Sequence, residues 1–104
     1  MRKSILGLTM LMFTMHAHPY DGLSDGRVLA IRIQSYRILI VQQNATDPGS
    51  CGDSSYLILP QSDSVFHKNM YAALLSAYAT QSAVRLALTG CSEGFPVIEQ
   101  VWLR

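Results

Sequence analysis

The sequence predicts a single, mainly β domain that carries one helix. Residues 65–81 contain no glycine or proline and repeat apolar side chains with the 3.6-residue period of a helix. Around this run, five shorter stretches alternate or concentrate apolar residues as strands do. The predicted order is therefore β-β-β-α-β-β, and the length of 104 residues suits one domain.

The predicted helix has three candidate N-caps, Ser62, Asp63 and Ser64, whose side-chain oxygens can accept free backbone N–H groups. Its inward face is predicted to consist of Phe66, Met70, Ala73, Leu74, Ala77 and Gln81. A second apolar stripe beside it consists of Tyr71, Leu75 and Tyr78. Because this arc is wider than one packing surface requires, either the helix is deeply buried in its own core or it packs against a second partner, such as another subunit.

The strands flank the helix on both sides. A polar arm, residues 18–25, is expected to precede the first strand, and the brief break after that strand indicates either a tight turn or one long bent ribbon. The last strand carries apolar groups on both faces, which is consistent with a subunit contact. The five predicted strands span residues 26–34, 37–43, 56–59, 83–89 and 96–103.

This order of elements is that of the OB-fold, a five-stranded Greek-key barrel with a helix between strands three and four. In that topology strands three and five are parallel neighbours. Cys51 lies six residues before Leu57, and Cys91 lies six residues before Val97, so both sulfurs would reach the same end of an OB-fold-like barrel. The alternative is an open α+β sheet with one covering helix.

The first residues resemble a secretory signal peptide. Arg2 and Lys3 precede an apolar, uncharged run at residues 4–13, which is too short to span a bilayer. The prediction is a signal at residues 1–17 and a mature domain at residues 18–104, located in the periplasm of a bacterium or secreted from it.

The two cysteines are predicted to form a disulfide. An even number of cysteines in a small exported domain is typical of a bridged scaffold, so Cys51 is expected to pair with Cys91. The competing interpretation is a pair of free, buried thiols.

The charge balance argues against a nucleic-acid partner. Removing Arg2 and Lys3 with the signal leaves six basic and seven acidic residues, a net charge of −1, with no basic stripe along any element. No second apolar run is long enough for a membrane span.

The sequence shows no catalytic motif. It contains no nucleophile elbow, zinc-protease helix or phosphate-binding loop. His16 and His18 supply too few ligands for a metal site, and His67 is interpreted as a solvated surface residue. The expectation is a protein that is not an enzyme and needs no cofactor or metal.

A binding site is predicted where the first strand passes to the second. Gln34, Ser35 and Tyr36 place amide and hydroxyl groups beside an aromatic ring. A ring can pack on the apolar C–H face of a sugar while the polar groups exchange hydrogen bonds with its hydroxyls. The alternative is an ordinary turn.

Residues 33–41 and 66–88 together resemble the B subunits of bacterial AB5 toxins of the subtilase-cytotoxin and typhoid-toxin type. The resemblance covers about half of the mature chain, although the chain is shorter and its loops differ. It implies an exported OB-fold protein that forms a pentameric ring, binds sialylated glycans and partners a toxin A subunit. In that family a serine near the second strand holds the sialic acid, and Ser35 is the matching position. The alternative function is a small monomeric periplasmic protein with the same fold.

Overall fold

The computed structural model of the protein describes residues 20–104. They form β1 (Gly22–Ile33), β2 (Arg37–Gln42), β3 (Leu57–Pro60), α1 (Val65–Thr80), β4 (Ala83–Ser92) and β5 (Phe95–Leu103). The predicted order β-β-β-α-β-β is confirmed. The predicted signal peptide at residues 1–17 and the histidine pair His16 and His18 lie outside the described residues.

The five strands form a sheet that closes into a ring. They pair in the order β1-β2-β3-β5-β4, and β4 pairs back with β1. Every pair is antiparallel except β3 and β5, which run parallel through Ile58 and Val97. The ring rules out the open α+β sheet, and the antiparallel pairing of β1 with β2 makes their junction a turn rather than a bent ribbon.

β1 begins at Gly22, so the prediction that residues 22–25 belong to a polar arm is wrong. The first half of β1 pairs with β4 and the second half pairs with β2. At Gly26, between these two halves, an added Cβ would lie only 2.1 Å from the carbonyl oxygen of Gln43. The sequence pattern misses this half because its buried residue, Ser24, is polar and so breaks the apolar alternation.

A buried amide joins three strands inside the ring. Gln42 is 5 % exposed, and its Nε2 donates to the carbonyl oxygens of Ser24, Gly26 and Val84 at 3.1, 3.2 and 3.2 Å. Its Oε1 accepts a hydrogen bond from the hydroxyl of Ser24 at 2.5 Å. β1, β2 and β4 are thus connected through one side chain whose polar atoms are all paired.

Helix α1 packs against the ring through a short stretch of its length. Ser64 is the N-cap, where its Oγ accepts the N–H of Phe66 at 3.1 Å, and the helix ends at Gln81 in the left-handed conformation. The core cluster consists of Val28, Ile38, Ile40, Leu57, Leu59, Met70, Leu74, Ala77, Val84, Leu86, Leu88 and Ile98. Only Met70, Leu74 and Ala77 of this cluster come from α1, so the interpretation as a deeply buried helix is wrong.

The inward assignment of Phe66 is also wrong. Phe66 is 50 % exposed because it lies in the first helical turn, ahead of the buried part of α1, and it lines a groove beside Trp102 of β5. Gln81, at the other end of the predicted inward face, is exposed as well. In the second stripe Tyr71 packs against the core, whereas Leu75 and Tyr78 keep about two fifths of their surface exposed.

The predicted disulfide is confirmed. Cys51 and Cys91 are bonded across a sequence separation of 40 residues, so neither is a free thiol. The bridge joins the loop before β3 to β4, which extends to Ser92 rather than ending at Thr89. On chain-entropy grounds a loop of this length stabilises the fold by about 4 kcal/mol. A disulfide is consistent with an extracellular or periplasmic location.

Within residues 20–104, no helix has the length and apolar character that crossing a membrane requires.

Replacing the buried amide tests its role in the ring. We expect Gln42→Leu to lower the free energy of unfolding by about 3 kcal/mol, because the Ser24 hydroxyl, two buried carbonyls and one part-buried carbonyl lose this partner. Urea unfolding of the disulfide-bonded protein measures the loss. The matched control is Gln43→Leu, whose side chain makes one long contact of 3.4 Å with Arg27. Equal midpoints for the two variants would contradict the assignment.

Candidate functional site

The turn between β1 and β2 holds the three residues predicted as a binding site. The N–H of Gln34 donates to the carbonyl oxygen of Arg37 at 2.8 Å, directly after the paired residues Ile33 and Ile38. The side chain of Gln34 closes the same turn, because its Oε1 accepts from Nε of Arg37 at 2.8 Å. Tyr36 is 57 % exposed, and Ser35 is exposed beside it.

A group of charged and aromatic side chains surrounds one side of this turn. We call it the arginine–aromatic cluster; it consists of Arg32, Tyr36, Arg37, Tyr56, Glu93 and Phe95. The residues come from the end of β1, the β1–β2 turn, the start of β2, the residue before β3, the β4–β5 turn and the start of β5. Because side chains alternate along a strand, Arg32 and Arg37 point away from the face that carries Ile33 and Ile38.

Arg37 lies at the centre of the cluster. Its Cζ is 5.1 Å from the ring centroid of Tyr36 and 5.8 Å from that of Phe95, which are cation–π distances. Its buried Nη1 lies 2.7 Å from Oε1 of Glu93, but without the alignment of a hydrogen bond, so the contact is an ion pair only. The hydroxyl of Tyr36 donates to the same Glu93 oxygen at 3.3 Å, which ties the β4–β5 turn to the β1–β2 turn.

Arg32 lies at the exposed edge of the cluster. Its Nη1 donates to the hydroxyl of Tyr56 at 2.7 Å, and its Cζ is 5.6 Å from the Tyr56 ring centroid. The Tyr56 ring packs edge-on against Phe95 at a centroid distance of 5.6 Å. Among residues 20–104, Arg32 forms no salt bridge. The cluster therefore carries two guanidinium groups and one carboxylate, and one of its cations is not neutralised by an acid.

The structure brings two of the three predicted site residues into this arrangement. Gln34 and Tyr36 both contact the cluster, through Arg37 and Glu93 respectively. Ser35 is at the turn but forms no side-chain hydrogen bond with the rest of residues 20–104. The sequence does not predict a place in the site for the other cluster residues, Arg32, Arg37, Tyr56, Glu93 and Phe95. No local pattern points to them, because Tyr36 and Glu93 are 57 positions apart and meet only through the strand order.

An open cleft of about 540 Å³ lies on the other face of the turn, between the end of the β1–β2 hairpin and the start of α1. Its apolar side is lined by Ile33, Ile38, Pro60 and Tyr71. Polar residues line the rest, and among them Ser62 Oγ lies 2.6 Å from His67 Nδ1. In the described part of the chain, no group of three or more His, Cys, Asp or Glu side chains could hold a metal ion.

Comparison of the sequence with protein-family models and with curated proteins finds no match. The chemistry of the β1–β2 turn is therefore inferred from the residues that form it.

The Arg37–Glu93 pair is expected to contribute little to stability by itself. The Glu93 side chain is 59 % exposed and the Arg37 side chain 13 %, so solvent weakens the attraction between them. A double-mutant cycle with Arg37→Met and Glu93→Gln, followed by urea unfolding, should give a coupling free energy below about 1 kcal/mol. Arg37→Met alone should cost more than Glu93→Gln, because it also removes the guanidinium from the Tyr36 and Phe95 rings. A coupling above about 3 kcal/mol would show that the ion pair itself stabilises the turn.

Proposed function

We propose that the protein is an exported glycan-binding protein, similar to the B subunits of AB5 toxins, and that its β1–β2 turn binds an acidic sugar. One observation carries the proposal: two arginines and two tyrosines cluster at the turn on which the sequence already places Gln34, Ser35 and Tyr36. An ordinary turn does not require this concentration of ligand-binding side chains.

The cluster offers the groups that an acidic sugar requires. A guanidinium group recognises a carboxylate through two parallel hydrogen bonds, and Arg32 is the exposed arginine of the cluster and has no acidic partner among residues 20–104. The exposed ring of Tyr36 offers an apolar face for sugar C–H groups. The Ser35 hydroxyl can both donate and accept a hydrogen bond. In this proposal Arg37 positions Tyr36, and Arg32 binds the carboxylate.

The topology supports the same function. The strand order β1-β2-β3-β5-β4, with a helix between β3 and β4, matches the Greek-key barrel of the OB-fold, whose loops bind oligosaccharides. This support is an analogy between folds, so the residues of the turn carry the functional argument. The Cys51–Cys91 bridge supports export to an oxidising compartment.

The proposal includes a pentameric ring that associates with a toxin A subunit. Apolar side chains remain exposed on α1 and at the end of β5: Phe66, Leu75, Tyr78, Trp102 and Leu103. Exposed apolar surface of this kind favours a protein partner. A closed ring of identical heterologous contacts covers it, and five weak sugar sites on one ring gain affinity through multivalency.

Removing the free guanidinium tests the sugar site. We expect Arg32→Gln to weaken binding of sialyllactose at least tenfold, because a charge-assisted pair of hydrogen bonds is lost. Ser35→Ala should weaken binding as well and leave the fold unchanged. Titration calorimetry on the mature protein measures both effects. The control is Arg27→Gln, which removes an exposed arginine from the same strand outside the cluster. Equal affinities of wild type, Arg32→Gln and Ser35→Ala would refute the site.

Sedimentation analysis tests the ring. At micromolar concentration, residues 18–104 should sediment with five times the mass of one chain. Leu75→Lys or Tyr78→Lys should release monomers that remain folded, because both side chains are about 40 % exposed within one chain. A wild-type monomer at that concentration would contradict the ring and favour the alternative, a monomeric periplasmic protein.

A further inference from the structure

We infer that the cleft beside the start of α1 is a second ligand site, and that it binds a zwitterionic small molecule with an apolar side chain, the class of the apolar α-amino acids. The cleft lies on the opposite face of the β1–β2 turn from the arginine–aromatic cluster. It therefore stands independently of the proposed sugar site.

The shape of the cleft and its apolar side suit a small organic molecule. Its volume of about 540 Å³ falls within the range of roughly 300–1,000 Å³ that is usual for small-molecule sites. Ile38 is buried at the base and packs in the core, whereas its strand neighbour Ile33 is 60 % exposed. Tyr71 is half-buried beside them. A branched or aromatic ligand side chain would cover Ile33 and remove apolar surface from water.

The cleft is lined by one acidic and one basic side chain, so a ligand with one positive and one negative charge suits it. Asp63 and Lys68 line it, and neither forms a salt bridge within residues 20–104. A carboxylate is favoured beside Lys68, and an ammonium group is favoured beside Asp63. A ligand with one charge would leave either Asp63 or Lys68 unmatched.

The Ser62–His67 pair supplies a further donor for the carboxylate. Ser62 Oγ accepts the N–H of Ser64 at 3.2 Å and lies 2.6 Å from Nδ1 of His67. When the Ser62 hydroxyl donates to Nδ1, the imidazole proton is on Nε2, which is then a hydrogen-bond donor. This pairing fixes the orientation of the ring before a ligand arrives.

The test uses three probes on the disulfide-bonded protein: L-phenylalanine, phenylacetate, and N-acetyl-L-phenylalanine amide. In ¹⁵N NMR titrations L-phenylalanine should shift the amides of Gln61, Ser62 and Lys68. The anion-only and uncharged probes should each bind about tenfold more weakly, because each lacks at least one charge-assisted contact. This comparison requires no variant, so it does not depend on whether a variant folds.

Two single-residue variants test which side chain binds each charged group of the ligand. Lys68→Gln and Asp63→Asn should each weaken L-phenylalanine binding about tenfold, while Arg27→Gln, an exposed arginine outside both sites, should leave it unchanged. Equal binding of all three probes, or no shift of the cleft amides at millimolar L-phenylalanine, would overturn the inference. Shifts of the cleft amides by sialyllactose and not by L-phenylalanine would overturn it as well, since they would assign the cleft to the glycan.

Discussion

The closed ring of strands depends on a buried amide where β1 changes partners. β1 pairs first with β4 and then with β2. Near this change of partners Gln42 of β2 donates to the carbonyl oxygens of Ser24, Gly26 and Val84 and accepts a hydrogen bond from the Ser24 hydroxyl. An apolar side chain would fill the same space but would leave these polar groups unpaired in the core, at a large cost in free energy. The polar pair Ser24 and Gln42 is therefore part of the closure of the ring.

Closure of the ring brings distant parts of the chain together at the candidate site. β3 lies between β2 and β5, and long side chains reach across it: Nη1 of Arg37, at the start of β2, lies 2.7 Å from Oε1 of Glu93 in the β4–β5 turn. Glu93 is two residues from Cys91, which the disulfide holds to the loop before β3. Tyr56, at the end of that loop, bonds Arg32. The ring and the bridge thus bring together the parts of the arginine–aromatic cluster.

Periodicity predicts what depends on local apolar patterns and misses what depends on polar pairing. The order of the elements, the parallel β3–β5 pair and the bridge between Cys51 and Cys91 follow from spacing along the chain. The start of β1 does not follow from this spacing, because its buried residue, Ser24, is polar and bonds to Gln42, 18 positions away. Phe66 fits the helical repeat but lies beyond the part of α1 that meets the ring. The sequence predicts a site at the β1–β2 turn from Gln34, Ser35 and Tyr36. It does not indicate the two arginines of the cluster, because their neighbours Tyr56, Glu93 and Phe95 come from distant parts of the chain.

A crystal structure of the mature protein with bound sialyllactose is the direct test of the proposed sugar site. The sugar carboxylate is expected within hydrogen-bonding distance of the Arg32 guanidinium, with the sugar ring against Tyr36 and a hydroxyl near Ser35. The Arg37–Glu93 contact is expected to be retained. A sugar bound elsewhere on the ring of strands, with the β1–β2 turn empty, would show that the turn is not the sugar site.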